Sequence, residues 1–291
     1  MKDINIFCFG FGQVAKNFIK KLNTEQYNIN LSATSRSESS KKIFNGINYN
    51  SYLFNSEKFD QNLVVKLKEA DHILVSIPPE NQEDLVIKNF SKFIESSKVK
   101  WITYLSATSI YGDHKGEWVN ENSKTNPISN NGIARLKAEN AWFSLEKSKK
   151  IPIQIFRLSG IYSNEKNILI RLKSGGVKLI NKKNHFFSRI HVDDISNILF
   201  KSLSKFKSGE IYNLSDDKPS TSEEVTLFGA KILNIENIEK IEVDQIKSEM
   251  LKNFYNESKK VSNKKMKSYF DYNLKFPSYI EGLNYISCNF I

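Results

Sequence analysis

The chain has 291 residues, of which 40% are hydrophobic and 12% aromatic. This composition excludes a disordered protein and suffices for one large domain, with or without a smaller lobe. The formal net charge is +11, but the lysines are spread along the whole chain. The spread favours a solvated basic surface over a nucleic-acid site, even at the densest basic stretch, 258–267. Cys8 and Cys288 lack metal-ligand spacing, and no run of about 18 apolar residues occurs. We therefore expect a reduced, cytoplasmic protein with no metal, no membrane span and no specific nucleic-acid partner.

The first half of the chain alternates between strand and helix patterns. Continuous apolar runs predict buried strands, and apolar residues three or four positions apart predict helices. In chain order, the patterns predict a strand at 4–10, a helix at 13–22, a strand at 29–35, a helix at 64–70, a strand at 72–79, a helix at 81–94, a strand at 101–107, a helix at 129–149 and a strand at 151–158. Buried strands that alternate with helices are typical of a parallel, doubly wound sheet.

The pattern loosens after residue 158. A loop at 174–180 leads to a short strand, a strand edge and a helix occupy 187–203, and a strand and turn occupy 209–217. Asp193 or Asp194 is expected to cap the helix at 187–203. Short helices and proline-containing turns fill the remainder.

These patterns predict an α/β fold, with a Rossmann-type doubly wound parallel sheet and a smaller C-terminal α/β lobe. We assign residues 1–160 and 186–216 to the dinucleotide-binding Rossmann domain. Residues 161–185 and 217–291 are assigned to the smaller lobe on the substrate side.

A glycine-rich turn joins the first strand to the first helix, in the sequence "CFGFGQVAKNF". Gly10 permits the tight turn, and Gly12 allows the backbone to approach a pyrophosphate. Ala15 lets the helix pack closely on the strand, while the amides of the helix N-terminus, at Gln13 and Val14, face the anion. The turn follows the first strand of a βαβ series, which strongly favours a dinucleotide site over a merely structural turn.

The tip of the second predicted strand carries no acidic residue for a ribose 2′-hydroxyl. Ser35 and Arg36 stand there instead, and a hydroxyl and a guanidinium suit a 2′-phosphate. We therefore expect NADP as the cofactor, with NAD as the alternative, because Glu38 lies two residues later and would favour the ribose hydroxyl. Ile77 and Pro78, at the end of the strand at 72–79, complete the expected cofactor-binding residues together with Lys137.

Six motifs together resemble the short-chain dehydrogenase/reductase superfamily, in its extended and atypical branch of NAD-dependent epimerase/dehydratase-like proteins. The resemblance covers nearly the whole chain, and the motifs occur in the order and spacing of the family. They are the glycine loop at 10–15, "YLSATSIYGD" at 104–113, "RLKAE" at 135–139, "RLSGIY" at 157–162, "RIHVDDI" at 189–195 and "IYNLSDD" at 211–217.

The resemblance implies a Ser or Thr, a Tyr and a Lys as catalytic residues, and two of the three are missing. Ala107 occupies the hydroxyl position, four residues before Tyr111, and Ile133 occupies the tyrosine position, four before Lys137. Lysine in this family also bonds the nicotinamide ribose, a role that does not need the tyrosine. The asparagine of a sugar-side motif is Gly160 here, so the resemblance implies no standard nucleotide-sugar contact at that position.

An active enzyme needs substitutes for the missing groups, because loss of a general acid–base forfeits about 10²–10⁴ in rate. Ser106 and Thr108 flank the Ala107 position, and Tyr111 is the nearest phenol. With Lys137, they are the candidate catalytic residues. Ser109, Asp113 and His114 are further candidates for proton transfer, and His191 is interpreted as structural. In an alternative interpretation, Ile133 continues a packed apolar stripe and Lys137 is a surface lysine.

Two functions from different classes remain open. The first is an NAD(P)-dependent oxidoreductase or epimerase that acts on a small carbonyl or sugar-like substrate through a rebuilt proton relay. The second is a catalytically degenerate protein that senses NADP(H) and passes the signal to a protein partner. The cofactor framework suits both, and the resemblance favours the enzyme. A homodimer is compatible with either.

Overall fold

The computed structural model of the protein describes residues 2–182 and 184–291. Its strands, in chain order, are β1 (Asp3–Phe9), β2 (Asn28–Ser35), β3 (Ser40–Phe44), β4 (Ile47–Leu53), β5 (His72–Val75), β6 (Trp101–Ala107), β7 (Trp118–Val119), β8 (Ile153–Leu158), β9 (Gly160–Tyr162), β10 (Leu179–Asn181), β11 (Arg189–His191), β12 (Ile211–Leu214), β13 (Lys240–Glu242) and β14 (Lys260–Val261).

The α-helices alternate with these strands in the first half of the chain and cluster in the second. They are α1 (Gln13–Thr24), α2 (Asn62–Glu69), α3 (Leu85–Glu95), α4 (Asn130–Lys149), α5 (Ile168–Lys173), α6 (Val192–Ser202), α7 (Ser222–Ile232), α8 (Glu249–Tyr255), α9 (Lys264–Phe270) and α10 (Tyr279–Phe290). Two short 3₁₀ helices lie at Thr108–Tyr111 and Val243–Gln245. Within the described residues, no helix is both long and apolar enough to cross a bilayer.

The central sheet has eight strands in the order β12-β8-β6-β5-β1-β2-β4-β3. The pairs β1–β2, β1–β5, β2–β4 and β5–β6 are parallel, and only the edge pair β3–β4 is antiparallel among the pairs whose register is defined. The predicted α/β class with a mostly parallel Rossmann-type sheet is therefore confirmed. Because these strands are parallel, the residues that follow β1, β2, β5 and β6 all lie at one edge of the sheet, where ligands bind in such folds.

Two predicted boundaries in the first half of the chain are corrected. The strand predicted at 72–79 ends at Val75, and Ser76–Pro79 form a loop. The helix predicted at 81–94 begins at Leu85, because Asn81 and Gln82 have positive φ and the Asp84 carboxylate caps the amides of Val86 and Ile87.

The helix at 187–203 differs from the prediction at its start. It begins at Val192, so Asp193 and Asp194 lie in its first turn rather than at the capping position. Both carboxylates still lie near the positive end of the helix dipole.

The chain divides into two compact units whose bounds differ from those of the predicted domains. The first unit consists of residues 1–107, 130–157 and 195–212, and the second of 108–129, 158–194 and 213–291. Local pairing explains why two segments join the second unit: β7 pairs with β14, and β9 pairs with β11.

Each unit has its own apolar core. In the first unit, Phe7, Phe9, Phe90 and Trp142 are fully buried among the residues that pack around the sheet. In the second unit, Tyr162, Leu169, Val225, Tyr279, Leu283 and Ile286 form a core between short helices and strands. Burial of these side chains stabilises each unit by about 1.5–3 kcal/mol per large residue.

Candidate functional site

The turn after β1 is built around Gly10, which has φ +86°. A Cβ atom at this position would lie 2.8 Å from both Ile77 Cγ2 and Ser76 Oγ, so no larger residue fits. The Gly10 amide donates to Thr34 Oγ1 at 2.8 Å, and the Ser76 hydroxyl donates to Phe9 O at 3.0 Å. The turn is thus held by side chains from β2 and from the loop after β5.

Gly12 has the opposite environment. A Cβ built on it would meet nothing within 4 Å, and its φ of −86° is open to any residue. Gly12 caps α1 without any side-chain hydrogen bond, while Ala15 is fully buried behind it. The twelve-residue helix therefore starts without a side-chain cap and beside an open Cα, which is the arrangement that binds a phosphate.

Gln13, the first residue of α1, adds a polar group to this turn. Its Nε2 atom is buried and has no hydrogen-bond partner among the described residues. Val14 is buried in the core, so it contributes its amide rather than its side chain. An open glycine, an uncapped helix start and an unpaired amide donor fit the pyrophosphate of a dinucleotide.

The tip of β2 carries the residues predicted to select the cofactor. Arg36 is exposed, and its carbonyl oxygen accepts from Asn55 Nδ2 at 3.2 Å. Ser35 is half-buried, and its hydroxyl lies 3.2 Å from that of Ser37. The Arg36 guanidinium is at the surface, where it is available to a 2′-phosphate, and Glu38 is exposed as well.

The loop after β5 contributes Ile77, which is half-buried, and Pro78, which is exposed. Ile77 lies beside Gly10, so the structure brings the first predicted glycine and this loop together. Sequence reasoning missed Thr34 and Ser76, which fix the turn. Thr34 stands one residue before the strand tip and could have been identified from that position, whereas the role of Ser76 depends on the pairing of β5 with β1.

Lys137 lies on α4 and is exposed. Its ammonium donates to the side-chain carbonyl of Gln82, in the loop between β5 and α3. Ile133, one turn earlier on α4, is half-buried. Arg135, between them, donates through Nη1 to the carbonyl oxygen of Leu105 and holds the end of β6 against the helix.

Ser106 lies near the carboxyl end of β6, and its side-chain hydroxyl is buried. The residue is 3% exposed, and its Oγ has no hydrogen-bond partner among residues 2–182 and 184–291. A buried hydroxyl without a partner is uncommon, because leaving it unpaired costs about 1–3 kcal/mol. Ser106 is therefore the candidate hydroxyl of the first unit that has hydrogen-bonding capacity to offer a ligand.

Thr108 and Tyr111 belong to the 3₁₀ helix of the second unit. Thr108 is half-buried, whereas Tyr111 is fully buried and its hydroxyl donates to Asn213 Oδ1 at 2.8 Å. Downstream, Asp113 Oδ1 accepts from the amide of Ser258 at 2.8 Å. Catalytic roles for Ser106, Thr108, Tyr111 and Lys137 stay predictions.

His191 is enclosed by aromatic rings in the second unit, at centroid distances of 5.0 Å from Tyr162 and 4.3 Å from Phe276. Its Nδ1 accepts from the Asp193 amide at 3.2 Å. Burial lowers the pKa of His191 to about 4, so the ring is neutral near pH 7. A neutral, packed ring agrees with the structural role predicted for it.

The second unit also holds a cavity of about 460 Å³ that the sequence did not predict. Gly160, Tyr162, Phe187 and Arg189 are among the residues that line it. No group of three or more His, Cys, Asp or Glu residues in the described parts of the chain could hold a metal ion.

Comparison with known proteins identifies the fold. Residues 85–215 match the model of the NAD dependent epimerase/dehydratase family. This match confirms the predicted resemblance to the NAD-dependent epimerase/dehydratase-like proteins over that part of the chain. No curated protein matches the chain.

Solved structures match it over nearly its whole length. A functionally unknown conserved protein from Silicibacter pomeroyi is 28% identical, with 99% of both chains covered and a TM-score of 0.86. The dTDP-glucose 4,6-dehydratase of Bacillus anthracis, solved with NAD, is 18% identical, with 99% of this chain and 96% of that chain covered and a TM-score of 0.78. The UDP-glucuronic acid 4-epimerase of Bacillus cereus, also solved with NAD, is 15% identical, with 98% and 96% covered and a TM-score of 0.76. The last two similarities show the fold alone.

Proposed function

We propose that the protein binds NAD(P) at the glycine turn of its first unit and is an oxidoreductase or epimerase with a non-standard proton relay. The observation that carries the proposal is the open face of Gly12 at the uncapped start of α1. A side chain at Gly12 would cost the folded protein nothing, so its absence is explained best by a ligand that approaches the backbone.

The proposed cofactor is NADP. The exposed Arg36 and the adjacent Ser35 support a 2′-phosphate, through charge-assisted hydrogen bonds. NAD is the alternative, supported by the dehydratase and the epimerase of similar fold that were solved with it.

In this proposal, Gly12 and the first amides of α1 hold the pyrophosphate, and Lys137 holds the nicotinamide ribose after leaving Gln82. Ser106 offers its unpaired hydroxyl to the carbonyl oxygen of a small substrate. Thr108 and Tyr111 remain further candidates for proton transfer. Hydride acceptance and return is the chemistry that a bound nicotinamide supplies.

A second candidate function is a degenerate NADP(H) sensor that acts through a protein partner. One observation favours it: the helix position one turn before Lys137 holds Ile133, and an isoleucine side chain has no proton to give. The two functions share the cofactor site and differ in turnover.

The cofactor site is tested with the variant Gly12→Val. We expect it to fold like the wild type, because a Cβ there meets nothing, and to lose NADPH and NADH binding in a calorimetric titration. Gly176→Val is the matched control, because Gly176 also has open space around a Cβ but lies in the second unit. Unchanged cofactor affinity in Gly12→Val would refute the proposal.

Turnover separates the two functions. A panel of small aldehydes, ketones and sugar-like alcohols is incubated with NADPH or NADP⁺. Cofactor absorbance detects net oxidation or reduction, and product analysis detects epimerisation, which returns the hydride and leaves the absorbance unchanged. For the enzyme, we expect turnover that falls about 10²-fold or more in Ser106→Ala while cofactor affinity is kept. Ile133→Tyr should then add a pH-dependent limb from a tyrosine beside Lys137. Cofactor binding without turnover, in both the wild type and Ile133→Tyr, would favour the sensor.

A further inference from the structure

The cavity of the second unit has a buried cation in its wall. Arg189 is only 8% exposed, yet it lines the cavity. Its Nη1 donates to the hydroxyl of Ser220 at 2.8 Å, and its guanidinium lies 3.4 Å from the centroid of the Phe187 ring. These contacts fix the plane of the guanidinium from one side.

The other edge of the guanidinium makes no hydrogen bond to the described part of the chain. Neither Nε nor Nη2 of Arg189 donates to any residue that the structure describes, although a buried guanidinium normally uses its donors. Nε and Nη2 lie side by side, and together they can donate two parallel hydrogen bonds to one carboxylate.

The nearby acids do not neutralise this cation by a direct bond. Asp216 is 2% exposed, and its Oδ2 is buried without a hydrogen-bond partner among the described residues. Burial raises the pKa of Asp216 well above its ordinary value, which favours the uncharged acid. Glu224 is held by Thr221 in the capping box of α7. Asp216 and Glu224 attract the guanidinium through space, but neither bonds its Nε–Nη2 edge, so a ligand anion can take that edge.

We propose that the cavity at Arg189 binds the carboxylate group of a substrate whose remaining part is apolar. The inference rests on the proposed function in that it treats the second unit as the substrate side, but the binding itself needs no cofactor. A carboxylate suits the planar Nε–Nη2 edge, which can donate two parallel hydrogen bonds to it, and a monoanion carries less charge to desolvate beside one buried guanidinium than a phosphate dianion does.

The walls around Arg189 fit the apolar part. Ile161, Val225 and Leu283 line the same cavity, and a second cavity of about 670 Å³ shares Ile168 and Phe187 with it. Ile246, Leu251 and Phe254 continue the apolar lining there. The charged side chains of the second lining are all cationic: Arg171, Lys178 and Lys247. An apolar body extending from the carboxylate would lie along this surface.

Gly160 lies beside the arginine. A Cβ there would lie 3.4 Å from Ser188 O and 3.8 Å from both Arg189 Cγ and the Phe187 ring, at ordinary contact distance. The family resemblance places an asparagine at this position, so this chain lacks a sugar-side polar group next to the cation. That exchange suits an apolar acid rather than a sugar.

The experiment uses the full chain without cofactor and three probes titrated by calorimetry: octanoate, the neutral isostere octanamide, and octyl phosphate. We expect octanoate to bind at least ten-fold more tightly than octanamide and more tightly than octyl phosphate. Equal binding of octanoate and octanamide would overturn the proposal. Tighter binding of octyl phosphate would overturn the assignment to a carboxylate.

Three variants locate the probe. Arg189→Met should reduce octanoate affinity to that of octanamide, whereas Arg171→Met, at an exposed position of the same lining, should change it less than three-fold. Gly160→Val should weaken both probes, because it fills the cavity while the charge remains, and it decides the test if Arg189→Met does not fold. An equal loss in Arg171→Met, or no loss in Gly160→Val, would contradict the proposal.

Failure of this inference and failure of the proposed function can be told apart. The variant Gly12→Val should lose NADPH and keep the preference for octanoate over octanamide, because the two sites are built from different residues. Loss of the octanoate preference in Gly12→Val would contradict a cofactor-independent carboxylate site. Retained NADPH binding in that variant would instead contradict the proposed cofactor site.

Discussion

The ammonium of Lys137 donates a hydrogen bond to the side-chain carbonyl of Gln82, which lies 55 residues earlier in the chain. Gln82 has a φ of +63°, in the loop that precedes α3. The bond joins two elements of the first unit and places the ammonium near the loop that follows β5. An exposed lysine in this position can exchange Gln82 for a ligand hydroxyl at little cost, since both are neutral acceptors.

We therefore predict that Lys137→Met weakens NADPH binding by no more than about 1–3 kcal/mol, the scale of one hydrogen bond to a charged group. Calorimetric titration measures the change, and Lys147→Met, at an exposed position of the same helix, is the control. An unchanged affinity combined with complete loss of turnover would show that Lys137 is itself the acid–base group, contrary to the role assigned to it.

We propose that Arg36 sets the preference between the cofactors. We predict that NADPH binds more tightly than NADH and that Arg36→Ala removes about 1.5–3 kcal/mol of NADPH affinity while leaving NADH nearly unchanged. Lys41→Ala, an exposed cation on β3, is the control. Equal affinities of the wild type for both cofactors would remove this claim, and tighter binding of NADH would assign the ribose to Glu38.

The glycine turn shows what the sequence could predict. Gly10 and Gly12 could be identified from the sequence because each is needed for a local reason. Gly10 adopts a positive φ, and Gly12 leaves its Cα open. The hairpin of β3 and β4 was not predicted, since polar residues such as Lys41, Lys42 and Asn50 interrupt its apolar pattern at the sheet edge.

The cavity of the second unit could not be predicted for a different reason. Arg189 and Asp216 are 27 residues apart in the sequence, and neither differs there from the other residues of its motif. They stand out only because some of their hydrogen-bonding atoms are buried without a partner. Tertiary packing decides this, and it leaves no periodic pattern in the sequence.

Gly282 provides a test of packing in the second unit. A Cβ on Gly282 would overlap the hydroxyl of Tyr162 and lie 2.6 Å from its ring atom Cε2. We predict that Gly282→Ala lowers the free energy of unfolding by about 1–3 kcal/mol, because Tyr162 must move and loses its bond to Ser278 O. Urea denaturation measures it. Tyr162→Leu combined with Gly282→Ala should recover part of the loss, and strictly additive effects would show that the two residues do not clash.

We predict that His191 contributes to the loss of stability in acid. Burial lowers the pKa of His191 to about 4, whereas the imidazole of an unfolded chain titrates near 6.5. As the pH falls, the unfolded state therefore binds a proton before the folded state does. The contribution of His191 is fully present above pH 6.5 and is lost as the pH falls through about 4, by roughly 3 kcal/mol in total. Burial lowers the pKa of His72 as well, so the contribution of His72 to the pH dependence of stability remains when His191 is replaced.

His191→Asn keeps an acceptor for the Asp193 amide and removes the titration. Urea denaturation at pH 7, 6 and 5 should show a smaller loss of stability with acid in this variant than in the wild type. His114→Asn, at a half-exposed site of the same unit, is the control and should leave the wild-type slope in place. An unchanged slope in His191→Asn would mean that His191 is already charged, or becomes hydrated, in the folded protein, and the ring would then be free to exchange protons rather than only to pack between Tyr162 and Phe276.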